Sequence, residues 1–182
     1  MKYPSPQDIE EMRARGYDRS VIEEAVELSK RWGLKEQLKE RIRSAFAGVE
    51  LGEGVGLREA QGLDDYASEE KCAQHRASDQ KIDWQALRSE DLNECNSSLS
   101  FFDAEGMRFH LPAYLVADLD GTYGFEMAYA LTQSSYLGVQ FALLSEEQRA
   151  AVRTYLRFIE HEPEYAFDRE HIQVALEGFW AE

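Results

Sequence analysis

The sequence predicts a mainly α-helical domain of irregular architecture with long loops. Three observations carry that expectation: apolar residues recur at helical spacing near both ends of the chain, capping patterns precede those runs, and glycine or proline closes them. At 182 residues and 43% hydrophobic, the chain is long enough to bury a core without metal or disulfide staples.

Ser5-Pro6-Gln7-Asp8 combines an N-cap hydroxyl, proline at the first helical position and an acid in the first turn. The helix that it starts is expected to end at Gly16. A second helix is expected from Asp18 or Ser20, with Ser20 and Glu23 as a capping box. Val21, Ala25, Leu28 and Trp32 form its apolar stripe, and Gly33 is expected to stop it. Leu34, Leu38, Ile42 and Phe46 then line a third helix ending at Gly48. Residues 1–47 thus read as an N-terminal helical hairpin or three-helix lobe. Residues 48–182 form the main helical domain, either separate from that lobe or continuous with it.

Within the main domain, residues 57–74 are expected as one helix, with Leu57, Ala60, Leu63 and Tyr66 facing inward. Residues 78–96 read as loop with short helical turns, anchored by Trp84, Leu87 and Leu92. The apolar stretch at 99–119 is the expected core. A helix from Asp103 to Leu119 with Pro112 inside it is favoured there, and a small strand element near 99–111 is the alternative. A short helix follows the turn at 121–124. Ser145 and Gln148 form a further capping box, ahead of a stripe of Val152, Tyr155, Leu156 and Ile159. Asp168 caps a last helix carrying Ile172, Ala175, Leu176, Phe179 and Trp180.

Charge narrows the function classes. With 35 acidic against 20 basic side chains the net charge is −15, a field that repels nucleic acid. The most basic stretch, residues 30–43, interleaves Glu36 and Glu40 with its lysines and arginines, as a solvated, ion-paired helix face would. No apolar run is long enough to span a bilayer, so no membrane partner is expected. The acidic N-terminus does not read as a secretory signal, and Cys72 and Cys95 read as reduced thiols of a cytoplasmic protein.

Several motifs invite chemistry. YLVADLDGTYG at 114–124 resembles the nucleophile motif of haloacid-dehalogenase-type phosphatases, in which Asp118 would attack phosphorus and Asp120 would act as general acid. That family places the motif early and needs a later lysine or arginine and a later acidic pair. Here the motif lies about two-thirds of the way along, no lysine follows Lys81, Arg149, Arg153 and Arg157 read as a helix surface, and Asp168 is the one later aspartate. The phosphatase reading is rejected in favour of a helix end and an Asp-Gly turn. A calcium loop fails on the same residues, because Val116 and Met127 would take ligand positions. GVELGEGVG at 48–56 lacks the Lys-Ser/Thr of a phosphate loop and reads as helix stop and turn.

Among the histidines, His161 and His171 sit among glutamates. They are the weak candidates for a metal site, with a solvated acidic loop as the plainer reading. Glu105, Arg108 and His110, with Asp103 and Tyr114, are the weak candidates for a catalytic site. Glu105 and Arg108, and likewise His110 and Tyr114, would share helix faces. No cofactor is expected.

Two resemblances remain. Residues 9–29 (IEEMRARGYDRSVIEEAVELS) loosely resemble ubiquitin-associated three-helix domains, although the bend reads Arg15-Gly16-Tyr17 where that family has Met-Gly-Phe/Tyr. More extensively, residues 43–57 (RSAFAGVELGEGVGL), 79–87 (DQKIDWQAL), 99–119 (LSFFDAEGMRFHLPAYLVADL) and 144–158 (LSEEQRAAVRTYLRF) resemble an uncharacterised bacterial domain family of unknown function. Phe46, Asp79, Trp84, Leu99, Phe109, Leu111 to Leu115 and Gln148 carry that likeness. It implies a relative without implying an activity.

Two function classes follow. The first is an acidic protein-binding module, an inhibitor, immunity-type partner or adaptor for a basic protein. The second is an enzyme centred on Arg108 and His110.

Overall fold

A computed structural model describes residues 3–181. Among them are ten α-helices and three short 3-10 turns, and no strand. The central element is α6 (Ala104–Leu119), twelve of whose sixteen residues are buried. Asp103 starts it by accepting the Gly106 amide at 2.7 Å, and it runs on through Pro112. The small strand near 99–111 does not form. Residues 98–100 make a 3-10 turn and the rest enters α6, since a helix satisfies its own backbone where no strand partner exists.

Neighbouring helices enclose α6. α2 (Arg19–Ala45) packs on it and on α9 (Glu146–Ile159). α10 (Arg169–Glu177) closes the far side against α7 (Met127–Thr132) and α9. α8 (Leu137–Gln140) also lies on α6, where the Gln140 amide donates to the carbonyls of Leu99 and Phe102. Trp84 and Trp180 are buried with each indole N–H on a backbone carbonyl, those of Phe46 and Leu131. Among the described residues, no helix is long and apolar enough to cross a membrane.

The N-terminal part differs from its sequence reading. α1 (Pro6–Ala14) has the expected Ser5 capping box and ends at a left-handed Gly16. Gly33, however, does not stop α2, so the result is a hairpin of α1 and one long helix rather than three helices. Glycine costs a helix interior only about 1 kcal/mol, which packing on α6 and α9 outweighs. Asp18 is the N-cap, without a side-chain bond, and the Ser20–Glu23 box does not form. In the first half of α2 only Ala25 is buried, and Val21 and Leu28 are exposed, because that half reaches past the core. Nor is the basic stretch wholly a solvated face. Lys35 and Lys39 are 7% exposed and lie against the C-terminus of α6, where Lys39 Nζ is 2.7 Å from Asp120 Oδ1.

Residues 57–74 also depart from expectation. α3 (Leu57–Asp64) ends before a left-handed Tyr66, and Ser68 caps a separate α4 (Glu69–Ser78). Tyr66 is 96% exposed and Leu63 is exposed too, so neither faces inward. The start of α3 shows what the glycine-rich loop does. Asp79 accepts the amides of Arg58 and Glu59 at 2.9 and 3.1 Å, so the chain's own carboxylate fills the place of a bound anion. Gly56 permits this approach, because a Cβ there would come within 2.2 Å of Asp79 Oδ2.

Two stability measurements check this account. A Cβ on Gly33 meets nothing within 4 Å, so Gly33→Ala should stabilise the protein by about 1 kcal/mol in urea denaturation. A loss of stability would mean that the helix is interrupted there. Asp79→Ala should cost about 1–2 kcal/mol, as loss of a helix cap does, and an unchanged midpoint would remove its role.

Candidate functional site

The sequence placed its catalytic candidates on α6, and there the structure separates them. His110 is fully buried, with its ring stacked on Phe102 at 4.4 Å and edge-on to Phe109 at 4.9 Å. Its Nδ1 lies 2.7 Å from the Gly106 carbonyl, which can only accept, so Nδ1 carries the proton. Nε2 is then a lone-pair acceptor, buried without a hydrogen bond. Burial pushes the imidazole down to about 4, and it is neutral at neutral pH. Arg108, two residues earlier, points elsewhere on the helix and is half-buried, its Nε also without a partner. Glu105 packs beside Gly54, and its carboxylate forms no ion pair with Arg108 despite their shared spacing. Tyr114 is buried and donates to the Cys95 carbonyl at 3.3 Å. None of the five surface hollows described on this chain is lined by Glu105, Arg108 or His110.

The metal candidates are also apart from any ligand set. His161 lies exposed just past α9 and His171 is exposed on α10. Among the described residues, no three His, Cys, Asp or Glu side chains gather as a metal ion would require. Cys72 and Cys95 are buried free thiols, and burial raises the Cys95 thiol to about 11, far from a reactive thiolate.

The two aspartates of DLDGT are both engaged in structure. Asp118 is buried and accepts the hydroxyls of Tyr155 at 2.8 Å and Tyr165 at 2.5 Å. Burial raises its carboxyl, and the two phenols only partly offset that. Asp120, the C-cap of α6, holds Lys39. Gly121 then turns left-handed, so that the amides of Thr122 and Tyr123 return to the Ala117 carbonyl. Asn93 clamps that turn by donating to the Thr122 carbonyl and accepting the Gly124 amide, each at 2.8 Å.

The clamped turn forms one wall of a cleft of about 310 Å³. Residues 164–168, between α9 and α10, form the other. Asp118 lies in its floor, Glu126, Glu164 and Asp168 stand around it, and Tyr123, Phe125 and Tyr165 supply aromatic surface. No lysine or arginine lines it. Phe125 is 48% exposed and its ring centroid lies 5.6 Å from that of Tyr123. A site of acidic and aromatic groups suits a cation, through charge and through the ring faces. Sequence reasoning did not find it, since its two walls lie about 40 residues apart and the one motif on them, DLDGT, reads as a helix end and turn.

The His110 environment makes a pH prediction. In the unfolded chain the imidazole titrates near 6.5, and in the fold near 4, so only the unfolded state gains a proton between those values. Stability should therefore fall as pH drops from 6.5 to 4, by on the order of 3 kcal/mol. Asp118 and Asp79, both raised by burial above their ordinary value near 3.8, act in the opposite sense within the acidic part of the same window. Comparison with His110→Phe isolates the histidine: its urea midpoint should vary less across that window. Equal slopes in the two proteins would show that His110 is not held neutral.

Comparison with curated proteins and with solved structures returned no match. Residues 34–182 match the model of a family of unknown function, DUF6714, and the chain belongs to that family.

Proposed function

We propose that this protein is a binding module for a basic protein, of the inhibitor, immunity or adaptor kind, and that the cleft between residues 118–126 and 164–168 receives a basic side chain of that partner. The observation that carries the reading is the cleft's composition: four carboxylates and three aromatic rings, with no basic residue in its lining. A lysine or arginine entering it would lose water but gain carboxylates and ring faces. The net charge of −15 supports the same partner, since it would speed encounter with a positive surface. Exposed aromatic residues beyond the cleft, Tyr129 and Tyr136 among them, add surface of a kind enriched in protein interfaces.

The alternative, an enzyme centred on Arg108 and His110, has one observation in its favour. Both residues keep a buried nitrogen without a partner, and such atoms call for an explanation. That reading requires Phe102 to move off the imidazole before any substrate could reach it.

Capture from a lysate of the source cells tests the first reading, with wild type and Glu126→Lys/Glu164→Lys run in parallel. Both glutamates are exposed, so the double variant should fold normally. A basic protein held stoichiometrically by wild type, released by moderate salt and lost in the variant is the expected result. Equal retention by both proteins would remove the cleft from the interface, and retention by neither would remove the module reading.

A further inference from the structure

The groove between α2 and α9 carries the opposite charge to the chain as a whole. Arg31, Leu34 and Arg41 of α2 face Thr154, Arg157 and Phe158 of α9 across a hollow of about 410 Å³, within the size range of small-molecule sites. Three of its lining side chains are guanidinium groups and none is a carboxylate. Its floor is apolar, made by Leu38 and Phe158, and Leu34 stands at its edge 50% exposed.

The three arginines are not equivalent. Arg31 is fixed, stacked 4.5 Å above the Phe158 ring and ion-paired with the buried Glu162. Arg157 is exposed on α9. Arg41 is exposed and forms no ion pair or hydrogen bond with any described residue. It also lines a second hollow of about 400 Å³, together with Ser44, Ala45, Ala150 and the carboxylates Glu146 and Glu147, so the uncrowded side of its charge is the one that faces the apolar groove.

We infer that this groove binds a free anionic amphiphile, a carboxylate carrying a medium-length alkyl chain. The chain lies on Leu34, Leu38 and Phe158, and the carboxylate pairs with Arg41. Charge complementarity selects the head group, because guanidinium forks match carboxylate geometry. The net charge of −15 selects a small monoanion over an acidic protein or an anionic bilayer, since repulsion grows with the charge that the ligand brings. The apolar floor selects the tail, whose burial supplies the rest of the affinity.

Decanoate titrated into the isotope-labelled full chain tests this, read by amide shifts in NMR. Saturable shifts centred on Gln37, Leu38, Thr154 and Phe158 are the expected result. Decyltrimethylammonium, with the same tail and the opposite charge, should not produce them, and neither should acetate, which lacks the tail. Arg41→Gln should weaken decanoate by about tenfold, as loss of one charge-assisted contact does. Arg41 is exposed, so that variant keeps the fold. Absence of saturable shifts, equal binding of the cationic amphiphile, shifts centred elsewhere, or unchanged affinity in Arg41→Gln would each overturn the assignment.

Discussion

The structure depends on burying α6 from nearly every side. A helix without a solvent-facing stripe must find protein partners for each polar group that it carries, since no water is at hand to serve. Those needs organise the surrounding elements. Asp118 draws Tyr155 from α9 and Tyr165 from the turn after it. Asp120 draws Lys39, and Lys35 behind it, down from α2. Tyr114 takes the Cys95 carbonyl, and Asp103 takes amides of both α6 and the glycine-rich loop. His110 finds one partner for its two nitrogens, and its burial lowers its affinity for a proton.

The same helix explains which parts of the fold could be read from sequence. Local chemistry was legible: the boxes at Ser5 and Ser145 and the cap at Asp103 form as their spacing implies, and Trp84 and Leu92 anchor their loop. Long-range packing was not. Gly33 has the chemistry of a stop, yet α2 continues because its second half lies on α6 and α9. Lys35 and Lys39 look like surface residues until Asp120, about 80 residues on, is placed beside them. Tyr66 fits the helical periodicity, yet it lies past the end of α3 in the left-handed turn that leads to the Ser68 cap of α4. The acidic cleft and the arginine groove are each assembled from distant segments, so no spacing rule could have located them.

The residues carrying the family likeness turn out to build the scaffold. Trp84 donates to the Phe46 carbonyl, Asp79 caps α3, and Gln148 closes the box with Ser145. Phe109, Leu111, Tyr114 and Leu115 are fully buried on α6. These side chains specify how the domain folds, which is why recognising them identifies kinship without a reaction. Neither the cleft nor the groove draws its charged groups from that set.

α2 has a further consequence. At about 1.5 Å per residue its 27 residues make a rod about 40 Å long, of which the second half is embedded and the first half largely exposed. One continuous helix therefore has two local stabilities. Amides near Val21 and Leu28 are released by unwinding a few turns, whereas those near Leu38 and Ile42 are released only when the core opens. Gly33 lies between these regions, at the place where the backbone is cheapest to unwind. The rod can shed its outer end to solvent or to a protease while the domain stays folded.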